Sequence, residues 1–143
     1  MIKEIVAFIK ARLAEDEAVA RTAARHANLR GGSHHKTARW TTYLEGGDDG
    51  YAIESEDAQT TFIVGRQDVA EHIARHDPAR VLRDVEAKQR ILARYQDAIA
   101  RQNDPAYSRP AASIQVAEYE DWVLPLLALA WDAHPAFDEA WRP

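Results

Sequence analysis

The chain has 143 residues, 46% of them hydrophobic and 29% charged, with a formal net charge of −5 and no cysteine. That length suits one domain with a single core, and the balance is that of a soluble globular protein, neither disordered nor membrane-spanning. The missing cysteines exclude a disulfide framework, a thiol nucleophile and a thiolate metal site, and the charged stretch MIKEIVAFIKARLAEDE lacks the apolar segment of a signal peptide, so a cytoplasmic protein is expected.

Ile2, Ile5, Ile9, Leu13 and Ala20 recur at helical spacing with Lys3, Lys10, Arg12 and Glu17 between them. This predicts an amphipathic helix of about 25 residues that fades near Asn28, where NLRGGSHHK has the composition of a connection. The period then shortens. RWTTYLE, YAIESE and TTFIVG are β-rich, and GGDDG between the first two is a hairpin turn, so a three-stranded antiparallel meander is expected with Trp40, Tyr43, Tyr51, Ile53, Phe62 and Val64 on its buried face. So small a sheet is marginal alone and needs helices over one face.

Helical character returns from Asp68 to His76. Asp77-Pro78 interrupts it, because a residue before proline is pushed away from α geometry; proline suits the first position of a new helix, and Asp77 suits its N-cap. PARVLRDVEAKQRILARYQDAIARQ then carries the stripe Val81, Val85, Lys88, Leu92, Tyr95 and Ile99, apolar except for Lys88, and DPAYSRPA ends it. A last helix is expected over residues 112 to 131, kinked or split by Pro125, and the aromatic tail HPAFDEAWRP is expected to dock on the body. The fold class is therefore α+β: one domain over residues 1–143, with a long N-terminal helix, a three-stranded antiparallel meander and two to three further helices packed on one face.

The charge runs in blocks. Residues 1–40, 41–71, 72–103 and 104–143 carry net charges of +4, −7, +3 and −5, a pattern that internal attraction explains more simply than a charged binding surface does. A nucleic-acid reading draws on the basic segment 21–40, with Arg25, Arg30, Lys36 and Arg39 to follow a phosphate backbone and Trp40 to stack a base. The acidic pI near 5.6 and the negative hairpin after this segment oppose it.

Within EHIARHDPAR, His72 and His76 stand at i and i+4, where two imidazoles on a helix reach one ion. A transition metal such as Zn needs a third ligand, and His134 with Asp132 in the tail WDAHP is the most interesting source; Asp77, His34 and His35 are others. The order of residues is not that of HExxH, since Glu71 precedes the first histidine. The structural alternative is preferred: His76 closes a helix C-terminus and His72 is partly buried beside Val69 and Ile73. No GxxxxGK[ST], GxGxxG or GxSxG occurs, and the carboxylate pairs Asp48–Asp49 and Glu120–Asp121 read as solvated charges.

EHIARHDPARVLRDVEAKQRIL and WDAHPAFDEAWRP resemble the shared core and ending of a family of small uncharacterised proteins from actinobacteria and their phages. In that family a helix like IVAFIKARLAEDEAVAR leads into a variable β-rich middle and then the His-x-x-x-His-Asp-Pro helix pair. The resemblance implies a bacterial or phage cytoplasmic setting and carries over no assigned activity. GGSHHKTARW here replaces a Pro-Gly-Pro-Trp type of lead-in to the middle region. The expected function is a non-enzymatic module that binds a host or phage protein, with Trp122, Trp131 and Trp141 as interface anchors, although for any single one of them ordinary core packing is the simpler role. The alternatives are a metal-binding protein or metal-dependent hydrolase using His72, His76 and His134, and nucleic-acid binding through residues 21–40.

Overall fold

A computed structural model describes residues 1–26, 39–44, 50–55, 61–107 and 109–143. In chain order these form α1 (Ile2–His26), β1 (Trp40–Leu44), β2 (Tyr51–Ser55), β3 (Thr61–Val64), α2 (Gln67–Arg75), α3 (Pro78–Asn103), α4 (Arg109–Glu118), a π-helical turn (Tyr119–Val123), α5 (Leu124–Ala128) and two 3-10 turns (Leu129–Trp131 and Glu139–Trp141). The fold is α+β. No helix among the described residues is long and apolar enough to cross a membrane. The chain groups into two compact units, one of Asp16–Val85 and one of Met1–Glu15 with Glu86–Pro143.

The first unit holds the sheet. Its strands are antiparallel in the order β1-β2-β3, with Trp40 opposite Ser55, Thr42 opposite Ile53, and Ile53 opposite Phe62. Alternation therefore puts Trp40, Thr42, Tyr51, Ile53, Phe62 and Val64 on one face. The rings of Trp40 and Phe62 meet edge to face with centroids 5.6 Å apart. Helix α2 packs against all three strands, Ala70 and Ile53 are fully buried, and the Tyr51 hydroxyl donates to Gln67 Oε1 at 3.2 Å.

Tyr43 departs from the expected buried face. It is an odd number of residues from Trp40, so it projects from the opposite side, paired across the strands with Ala52, which in turn pairs with Ile63. Tyr43 is 43% exposed, while the small Ala52 is buried. At Gly50 the backbone has φ of +121°, and a Cβ there would fall 2.6 Å from the Val64 carbonyl oxygen, so only glycine fits the lead into β2. The turn residues 45–49, Asp48 and Asp49 among them, lie outside the described residues.

The second unit is helical, and its buried side chains include Ile5, Phe8, Ile9, Leu13, Leu92, Tyr95, Val116, Leu124 and Trp141. Lys88, the exception in the apolar stripe of α3, has its ammonium 4.9 Å from the centre of the Trp131 ring, so its aliphatic stem follows the stripe and its charge meets an aromatic face. Pro125 does not split the last helix. The backbone stays helical at Glu118 and Leu124, and the Leu124 N–H reaches back five residues to the Tyr119 carbonyl. The widened turn immediately precedes the proline, whose missing N–H would otherwise leave a narrow α turn one bond short.

Candidate functional site

The stretch His-Asp-Pro forms a corner. The His76 backbone N–H donates to the carbonyls of His72 and Ile73, and its ring Nδ1–H donates to the same His72 oxygen at 2.8 Å, so the imidazole closes the C-terminus of α2. Asp77 follows with both oxygens in use. Oδ1 accepts the Arg80 N–H at 2.7 Å as the N-cap of α3, and Oδ2 accepts the Trp40 N–H at 3.3 Å, which ties the start of β1 to the corner. Beside it Val19, Ala20, Ala23, Trp40, His76 and Val81 line an apolar cleft of about 300 Å³.

The rings of His72 and His76 lie 4.4 Å apart, tilted by 35°. His134 and Asp132 belong to the helical unit and have their own partners there. The Arg12 guanidinium contacts His134 Nε2, Nδ1 accepts the Ala136 N–H at 3.0 Å, and Asp132 Oδ2 accepts from Arg142 at 3.2 Å. An ion at His134 would have to displace one of those donors. Among the described residues, no group of three or more His, Asp or Glu side chains is arranged to hold a metal ion.

Of the basic segment, Arg30 and Lys36 lie outside the described residues, as does the side chain of Arg25; Arg39 is exposed. Trp40 is half-buried with its ring against Phe62. Its Nε1–H has no acceptor among the described residues.

The three C-terminal tryptophans separate sharply. Trp141 is 7% exposed, its ring 5.0 Å from that of Phe8 and 5.6 Å from that of Phe137. Trp131 is half-buried under Lys88. Trp122 is 62% exposed, and Leu126, one turn on, is 56% exposed; Ile114, two turns before, is 63% exposed. These three stand in a row of every fourth residue on the side opposite the buried Val116 and Leu124, a solvent-facing ridge that is apolar except for the exposed Glu118 between Ile114 and Trp122.

Beside this ridge stand Glu120 and Asp121, the carboxylate pair that the sequence gives as solvated charges. Glu120 is half-buried, not merely solvated: its Oε1 accepts the Tyr95 hydroxyl at 2.7 Å. Burial, then this bond and the charge of Glu120, push the Tyr95 phenol from its ordinary 10.0 up to about 12. The folded-state value lies above the unfolded one, so the stabilisation is complete below pH 10 and disappears as pH rises through about 12. Tyr95→Phe is expected to lower the unfolding free energy by about 1–2 kcal/mol near neutral pH. In urea titrations the gap between the two proteins narrows between pH 10 and about 12; a constant gap contradicts the upward shift of the phenol.

Asp121 and Glu118 are exposed on the same helical segment, and neither has an ion-pair partner among the described residues. Residues 104–143 hold seven acidic and two basic side chains, and one of the basic ones, Arg142, is committed to Asp132 and Glu139. The outcome is a row of exposed large apolar side chains on an acidic helix flank. No curated protein and no solved structure matches the chain. A family model does match, over residues 2–143, and the chain belongs to that family, a family of unknown function (DUF6221).

Proposed function

We propose that this chain is a non-enzymatic protein-interaction module whose contact face is the ridge of Ile114, Trp122 and Leu126. The exposure of Trp122 carries the reading. A tryptophan presents the largest apolar surface of any side chain, and solvent exposure of one beside a second large apolar residue marks a contact face. Tryptophan is also among the residue types that dominate binding energy at interfaces. The partner is a protein of the bacterial or phage cytoplasm, the setting implied by the resemblance of the His-x-x-x-His-Asp-Pro stretch.

Trp122→Ala tests this, because folding and binding should respond differently. Trp122 contributes little burial, so its loss is expected to change the unfolding free energy by no more than about 0.5 kcal/mol. Retention of the partner by the immobilised protein is expected to fall at least about tenfold, the effect of losing one central anchor. Undiminished retention by a folded Trp122→Ala variant contradicts the reading.

A further inference from the structure

We infer that the partner engages the ridge through an arginine-bearing segment whose guanidinium seats in the cleft between the π-helical turn and the C-terminal 3-10 turn, an inference that rests on the interaction reading above. The cleft measures about 180 Å³ and lies wholly within the helical unit. Ile2, Ile5, Pro125 and Trp141 give it apolar walls, and Glu120 and Asp121 supply consecutive carboxylates from the widened turn. Each of two lining residues is followed at once by a ridge residue, Asp121 by Trp122 and Pro125 by Leu126, so the cleft borders the ridge.

Charge selects the occupant. The two cations at the rim are already engaged, the Met1 ammonium with Glu4 at 2.6 Å and Arg142 with Glu139 at 2.5 Å and Asp132 at 3.2 Å. Asp121 has no such partner among the described residues, and Glu120 has given only one oxygen to Tyr95. A cation is therefore favoured, and the apolar walls favour guanidinium over ammonium. Guanidinium is weakly hydrated, stacks its flat face on proline and indole, and forks its N–H donors to two carboxylates. The buried Trp141 Nε1–H lacks an acceptor among the described residues. The indole lines the cleft, so this N–H reports on an occupant without having to be contacted by it.

The indole N–H resonances of the four tryptophans make this measurable, with the Trp141 signal assigned from Trp141→Phe. The probes are N-acetyl-arginine N-methylamide and its norleucine counterpart, titrated into the whole protein. The arginine compound is expected to move the Trp141 signal saturably with a dissociation constant in the millimolar range. The norleucine compound should leave it in place. Asp121→Asn, which keeps the Tyr95–Glu120 bond, should weaken binding about threefold or more, and added salt should weaken it further.

Equal shifts from norleucine, an unchanged affinity in Asp121→Asn, or no saturable shift up to about 50 mM probe each overturn the inference. Its failure is separable from that of the interaction reading. A partner retained through Trp122 with no arginine response removes only the cleft assignment; an arginine response with retention indifferent to Trp122→Ala removes the ridge.

Discussion

Trp141→Ala will cost about 3–5 kcal/mol of unfolding free energy, the largest loss expected from any single truncation in the helical unit. The indole is the meeting point of the Phe8 and Phe137 rings and is almost wholly buried, so truncation removes both aromatic contacts and leaves a cavity with little to collapse into it. Trp141→Phe separates volume from polarity. It keeps an aromatic in place and deletes an N–H that has no acceptor among the described residues, so its cost should stay near 1–2 kcal/mol. Urea unfolding followed by circular dichroism measures both variants. Equal losses would mean that the indole N–H has a partner worth as much as the ring.

Asp77→Ala comes second, at about 2–4 kcal/mol, because two separate donors lose one acceptor. The Arg80 N–H in the first turn of α3 loses its cap, and the Trp40 N–H loses the tether that begins β1. Asparagine caps a helix nearly as well as aspartate, and its single carbonyl oxygen can serve only one of the two donors at full strength. Asp77→Asn is therefore expected to recover the cap and about half of the lost stability, read from the same denaturation curves. If Asp77→Ala costs no more than an ordinary cap, about 1 kcal/mol, the tether to Trp40 carries no weight.

The contrast between Asp77 and Trp141 shows where sequence reading works. The boundaries of α1 and α3 follow from apolar spacing and from an Asp-Pro start, both local signals, and the structure places those helices at Ile2–His26 and Pro78–Asn103. The capping role of Asp77 was legible for the same reason. Its second role was not, since the Trp40 N–H comes from 37 residues earlier in the chain.

The tryptophans of the tail look alike in sequence, and only partners far away distinguish them. Trp141 is claimed by Phe8 and Trp131 by Lys88, whereas Trp122 is left to solvent. Lys88 in an apolar stripe was itself the trace of such a partner. The misplacement of Tyr43 has a simpler origin: strand alternation alone puts it opposite Trp40, and its aromatic character obscured that parity. The π-helical turn had one sign, the proline at position 125, which reports the lost bond but not how the backbone absorbs it.

The ridge is the centre of this account, and site-specific photocrosslinking inside cells tests it most directly. A benzophenone side chain is placed at position 122, at position 126, or at the exposed position 86 on α3 of the same unit. The account predicts one discrete protein adduct from 122 and from 126, and none from 86. Adducts in equal yield from all three positions, or no adduct from 122, would contradict it.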